Sequence, residues 1–129
     1  MKEKEKIKVL VINPIMGPYV RIISDELQSY YNIIDCDCID ITTRKIGNKY
    51  YDIIVDDEGL LKDDFIVSAI DSNYKPALVG NLVITNFDEE GNTTTLTDED
   101  IRYIKQFIGH YSKPDTNVLA YTVLTQVDF

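Results

Sequence analysis

The stretch from Leu78 to Ile108, LVGNLVITNFDEEGNTTTLTDEDIRYIKQFI, constrains the fold more than any other part of the chain. From Leu78 to Phe87 apolar residues occupy both faces of a period-2 pattern: Leu78, Leu82 and Ile84 on one, Val79, Val83 and Phe87 on the other. A strand apolar on both faces needs cover on both, which places it centrally in a sheet. Asp88-Glu89-Glu90-Gly91-Asn92 then turns the chain. Thr97 is the expected N-cap of a helix over 98–108, with Asp98, Glu99 and Asp100 at the positive end of its dipole. Asp100 stands where a capping box carries Glu or Gln, and its shorter side chain leaves that reciprocal bond open. Ile101, Ile104, Phe107 and Ile108 share a helical face, and Gly109 reads as the stop.

The rest of the chain supplies further elements. Met1–Lys6 reads as a mobile charged start, and Ile7–Ile12 as another interior strand closed by Asn13-Pro14. Gly17-Pro18 punctuates a loop before a short helix with Ser24 as its cap, Asp25 and Glu26 in its first turn, and Leu27, Tyr30 and Tyr31 along it. Strands are expected over Ile33–Thr42 and Tyr50–Val55, with a basic turn between them tipped by Gly47-Asn48. Phe65, Ile66, Ala69 and Ile70 have helical spacing, so 60–72 reads as a short helix or turn. His110–Thr116 reads as a loop. Val118–Val127 alternates as a half-exposed edge strand, with Leu119, Tyr121, Val123 and Val127 inward and Thr122 and Gln126 outward. The sum is an α+β single domain over 7–129, a mixed or antiparallel sheet of about five strands with two or three helices packed on it.

Composition narrows the partners. The chain has 129 residues, 44% of them hydrophobic, which suits one globular domain. No apolar run approaches the roughly 20 residues of a spanning helix, and no secretory apolar region follows the N-terminal charges, so a cytoplasmic protein is expected. The formal charge is −9, and because the first eight residues hold four lysines and two glutamates, the remainder sets nine cations against twenty carboxylates. Such a surface repels nucleic acid and anionic membrane, so neither is an expected partner.

Chemistry-bearing patterns are sparse. In a strand over Ile33–Thr42, Cys36 and Cys38 would share the inward face about 6.5–7 Å apart, too far for an easy disulfide, with Asp35 and Asp37 turned to water. Two thiols and one imidazole fall short of a structural zinc set, so no metal and no cofactor is expected. The acidic turns Asp56-Asp57-Glu58-Gly59 and Asp88-Glu89-Glu90-Gly91 lack the spacing of a calcium loop, and their composition is what exposed turns select. His110, the one histidine, reads as a charge near helix C-terminal carbonyls rather than a base. No serine or cysteine sits in a nucleophile setting, and no glycine-rich loop cradles phosphate. Nine tyrosines without a tryptophan leave Tyr30, Tyr31, Tyr50 and Tyr51 as candidates for stacking on a ligand.

KVLVINP at 8–14, PYVRII at 18–23, IIVDDEGLL at 53–61 and LVGNLVITNFDEEGNTTTLTDEDIRYI at 78–104 together resemble a domain-of-unknown-function family found mainly in phage, plasmid and conjugative-element proteins of Gram-positive bacteria. Between Lys62 and Pro76 the chain departs from that pattern, and the C-terminal strand reads as an addition. The family offers no catalytic residues to carry over; the resemblance implies a small accessory protein of a mobile element, made inside a bacterial host. The first functional expectation is therefore a non-enzymatic acidic protein that binds a protein partner. Such a protein could inhibit a host defence or nucleic-acid enzyme by presenting carboxylates in place of phosphates. Its contact candidates are Asp35, Asp37, Asp56, Asp57, Glu58, Asp88, Glu89 and Glu90. The alternative is a binder that sequesters a nucleotide signal, and a hydrolase ranks third.

Overall fold

The computed structural model describes residues 6–59, 66–111 and 121–128. It opens with β1 (Lys6–Asn13) and β2 (Gly17–Ser24), paired along their whole length from Lys6 opposite Ser24 to Asn13 opposite Gly17. The Asn13 carboxamide oxygen closes their loop by accepting from the backbone N–H of Ile15 and Met16, both at 2.9 Å. Helix α1 (Leu27–Ile34) follows, then the hairpin β3 (Ile39–Ile46) and β4 (Lys49–Asp56). Gly47 has φ +62° and Asn48 does not share the positive sign, the pattern of a type II′ turn. Next come β5 (Val67–Ile70), β6 (Pro76–Val79), β7 (Leu82–Phe87), the short β8 (Thr93–Thr94) and α2 (Asp98–Lys105). The described chain ends with β9 (Ile108–Tyr111), β10 (Tyr121–Leu124) and β11 (Val127–Asp128).

The larger sheet runs β11-β3-β4-β7-β1-β2 with β8 paired to the end of β7, all antiparallel. Among the described residues the smaller sheet runs β6-β5-β10-β9, with β5 and β10 paired parallel and its other neighbours antiparallel. One face of the larger sheet packs Val9, Val11, Ile54 and Val83 against Tyr30, Ile33 and Ile34 of α1. The other packs Leu10, Ile12, Ile53, Leu82 and Ile84 against Ile101 and Ile104 of α2 and against Ala69, Leu78 and Leu124 of the smaller sheet. Three layers thus account for the apolar character of β1, β4 and β7 on both faces.

The α+β class holds, with more and shorter strands than about five and with two helices among the described residues. The run 78–87 is two strands in different sheets. Gly80, at φ +74°, turns the chain between β6 and β7, so Leu78 and Val79 leave the larger sheet altogether. Ile33 and Ile34 belong to α1 rather than to a strand, because Asp35 adopts a left-handed cap (φ 62°, ψ 60°) and its N–H returns to the Tyr31 carbonyl at 2.9 Å. Ser24 ends β2 and does not cap the helix; Asp25 and Glu26 precede the first turn, and Asp25 accepts a 2.8 Å bond from the Tyr30 hydroxyl.

Other boundaries move for related reasons. Ala69 and Ile70 lie in β5, not in a helix, while 60–65 fall outside the described residues, as do Met1–Glu5 and 112–120 with Leu119. Helix α2 stops at Lys105, and Ile108, Gly109 and His110 enter β9, so Gly109 is not the stop and His110 is not in a loop. The final strand divides into β10, interior to the smaller sheet, and β11, at the edge of the larger one. Thr122 is buried rather than outward, and its N–H donates to the Pro14 carbonyl at 2.7 Å.

Candidate functional site

The end of α1 and the end of β4 converge on one acidic cleft. The left-handed cap at Asp35 swings the chain into Cys36-Asp37-Cys38, and a 3.1 Å bond from the Asp57 N–H to the Cys38 carbonyl ties that segment to the turn after β4. Within that turn the Asp56 carboxylate accepts from the Glu58 N–H at 2.9 Å, holding the chain in a tight Asx-type bend. The resulting open cleft, about 620 Å³, is walled by Gln28, Tyr31, Asn32, Asp35, Cys36, Asp37, Cys38, Asp56 and Glu58. Among the described residues four carboxylates and no cation line it.

Asp35 and Asp56 also border an adjoining hollow of about 270 Å³, whose floor carries Pro14, Ile15, Ile34, Ile66 and Val79. A third depression, about 390 Å³, shares Asp56 and adds Asp40, Arg44 and Asp57. Asp56 therefore stands where three concavities meet, with acidic groups on one side and hydrocarbon on another. Among the described residues no group of three or more acidic, thiol or imidazole side chains converges closely enough to hold a metal ion. Carboxylates spread around an open cleft act as a field and as separate acceptors for ammonium or guanidinium groups, each worth more where solvent is partly excluded.

The other contact candidates lie elsewhere. β4 and β7 are antiparallel, so Asp56 sits beside the start of β7 whereas Asp88, Glu89 and Glu90 follow its far end. Asp88 is a turn builder: its carboxylate accepts from the N–H groups of Glu90 at 3.0 Å and Asn92 at 2.8 Å. Those bonds, the Asn92 one foremost, hold its pKa below the usual carboxylate value. The four tyrosines do not meet. Tyr30 and Tyr51 are core rings, Tyr31 walls the cleft, and Tyr50 is exposed opposite Lys45 on the β3–β4 hairpin. Both cysteines border the cleft; Cys36 is half-buried and packs against the α1-side core, whereas Cys38 is exposed and does not face inward.

A second polar cluster is built on the Thr97–Asp100 cap, and its links to Tyr51 and Asn86 carry no signal in the sequence. Asp100 accepts from the Tyr51 hydroxyl at 2.9 Å, the Asn86 carboxamide at 2.9 Å, the Thr97 N–H at 3.1 Å and the Thr97 hydroxyl at 2.8 Å. The Thr97 hydroxyl in turn accepts from the Asp100 N–H, so the capping box forms with aspartate in the glutamate position. Burial opposes the Asp100 charge, but the bonds from Thr97, Tyr51 and Asn86 outweigh it and leave the pKa lowered. A carboxylate with a depressed folded pKa stabilises the fold fully above its unfolded value of about 3.9 and loses that contribution as pH falls through the folded value. Asp100→Asn is expected to cost about 1–2 kcal/mol at neutral pH. It should also remove one acid-sensitive step. Denaturant melts of both proteins at neutral pH and below pH about 3 check this, and parallel acid losses in the two would refute it.

Residues 7–111 match the profile of a domain of unknown function, DUF3846, a span that runs from β1 through β9 and holds both acidic turns, both helices and the cleft. No curated protein and no solved structure shows significant similarity. The segments singled out at 8–14, 18–23, 53–61 and 78–104 all fall inside the matched span, whereas β10 and β11 lie beyond it. The chain belongs to the DUF3846 family.

Proposed function

We propose that this protein is a non-enzymatic binding protein whose acidic cleft receives a lysine- or arginine-bearing segment of a protein partner. The observation that carries the reading is the gathering of Asp35, Asp37, Asp56 and Glu58 around one cleft, with no cation among the described residues of its wall. A chain charge of −9 extends that field over the surface and favours encounter with a basic partner. Proteins that handle nucleic acid carry basic surfaces of that kind, so the carboxylates would compete with phosphate for them. With the mobile-element resemblance, this supports an accessory protein acting on a host enzyme in the bacterial cytoplasm. A nucleotide ligand has weaker support, since the cleft would repel its phosphates and Tyr31 alone of the four tyrosines borders it.

The test is capture of partners from a bacterial lysate at low and high salt, with the native chain beside the Asp37→Lys/Glu58→Lys double variant. Both side chains are exposed, so the fold should tolerate the change. The native chain should retain partners at low salt and release them as salt rises, because exposed carboxylate–cation contacts are screened. Reversal at the cleft should weaken retention at least about tenfold. Glu89→Lys/Glu90→Lys, at the far end of β7, should have the smaller effect. Retention unchanged by the cleft variant would refute the reading.

A further inference from the structure

Nine large hydrophobic side chains are exposed among the described residues, and six of them, Ile15, Met16, Tyr19, Val20, Ile22 and Leu27, come from one segment. That segment is β2 with the loop before it and the helix start after it, and among the described residues β2 pairs with β1 alone. We propose that β2 is the interface of a two-fold homodimer, in which β2 of a second copy adds antiparallel and continues the larger sheet.

The backbone of β2 is ready for this. Lys8 turns its N–H to the Thr95 hydroxyl at 2.8 Å and its carbonyl to the Leu96 N–H at 2.9 Å, away from β2. Odd-numbered residues of β1 therefore bond β2, and through the register the odd-numbered residues of β2 bond back. Pro18, Val20 and Ile22 point their backbone groups to the open edge. Pro18 has no N–H there to leave unsatisfied, and one proline with one Arg21 is thin protection for an eight-residue edge.

Charge and register name the occupant. From Lys6 to Ser24 there is no aspartate or glutamate, the longest such run in a chain of net charge −9. A second acidic copy can approach there with least carboxylate repulsion. A two-fold axis through Val20 sets Val20 on Val20 of the second copy, Tyr19 beside Arg21, and Pro18 beside Ile22. Apolar meets apolar, and each guanidinium lies against a tyrosine ring. Val20 exchanges N–H and carbonyl bonds with its counterpart, and each Ile22 N–H reaches a Pro18 carbonyl. Sliding by two residues would instead set Arg21 on Arg21, and sliding by one would turn the faces against each other.

Sedimentation of the full chain from about 1 μM to about 1 mM should show a monomer–dimer equilibrium within that range. Val20→Lys opposes two ammonium groups on the axis and should raise the dimer dissociation constant at least about tenfold, with an unchanged thermal melt of the monomer. In a Cys36→Ser/Cys38→Ser background, Val20→Cys should form a disulfide-linked dimer on mild oxidation, since hydrogen-bonded antiparallel partners lie about 5.5 Å apart at Cα. Arg21→Cys should link more slowly. A monomer at every concentration, a dimer indifferent to Val20→Lys, or faster linkage through Arg21→Cys would overturn the proposal.

Discussion

Gly47→Val is expected to cost about 3 kcal/mol or more and to lower the melting temperature by roughly 10 °C. Two effects add. At φ +62° a β-branched residue is strained, about 1–2 kcal/mol for the left-handed backbone. A side chain there also enters occupied space: a Cβ would stand 2.6 Å from the Tyr103 hydroxyl, 2.7 Å from Phe107 Cε2 and closer still to Phe107 Cζ. Those rings cannot swing aside freely. They pack edge to face at 5.3 Å, the Tyr103 hydroxyl accepts from the Asn48 N–H at 2.7 Å, and Lys49 Nζ lies 4.8 Å above the Tyr103 ring. Overpacking of that kind costs about 1–3 kcal/mol. Gly80→Ala separates the two effects, because Gly80 has φ +74° but open space around it, so it should lose only the backbone part. Equal losses in the two variants, measured by denaturant melts, would show that the ring contact carries no weight.

That same hairpin shows what a sequence makes legible. Gly47-Asn48 between two apolar runs has a local cause, the sign of one φ angle, and its place as the turn tip could be read without coordinates. The cap of α2 is local too: Thr97 and Asp100 are three residues apart, and their bonds cross one helical turn. What was not legible depends on which layer covers a residue. Ile33 and Ile34 are apolar neighbours that suit a strand or a helix equally, and the choice rests on burial beneath Val9, Val11 and Val83. β2 escaped because its outer residues Tyr19, Val20 and Ile22 are exposed, which blurs the alternation that marks a strand. Carboxylates at 35, 37, 56 and 58 could be named as candidates, but only pairing of β4 with β7 parts them from 88–90. Their meeting around one cleft is a tertiary fact.

The three-layer arrangement makes a sharper prediction in the centre of the larger sheet. Ile84 is fully buried in β7, between Leu10 of β1 and Ile53 of β4, and Ile84→Ala is expected to cost about 3–4 kcal/mol. That is a large share of the roughly 5–15 kcal/mol by which domains are stable, so the variant should be partly unfolded at 37 °C or melt well below the native chain. Ile41→Ala, at a site 50% exposed on β3, should cost under about 1 kcal/mol. The sheet also acts as a wall between two cores, and that can be measured. Ile53 packs in the same cluster as Ile84, whereas Ile54, one residue along, packs on the α1 side. Ile53→Val combined with Ile84→Val should depart from additivity by about 0.5 kcal/mol or more, because the two lost methyls open one shared space. Ile54→Val combined with Ile84→Val should add within about 0.3–0.5 kcal/mol, since the backbone of the sheet separates their partners. Coupling of equal size across the sheet would mean that the two clusters are one core, and α1 would then have to be placed differently.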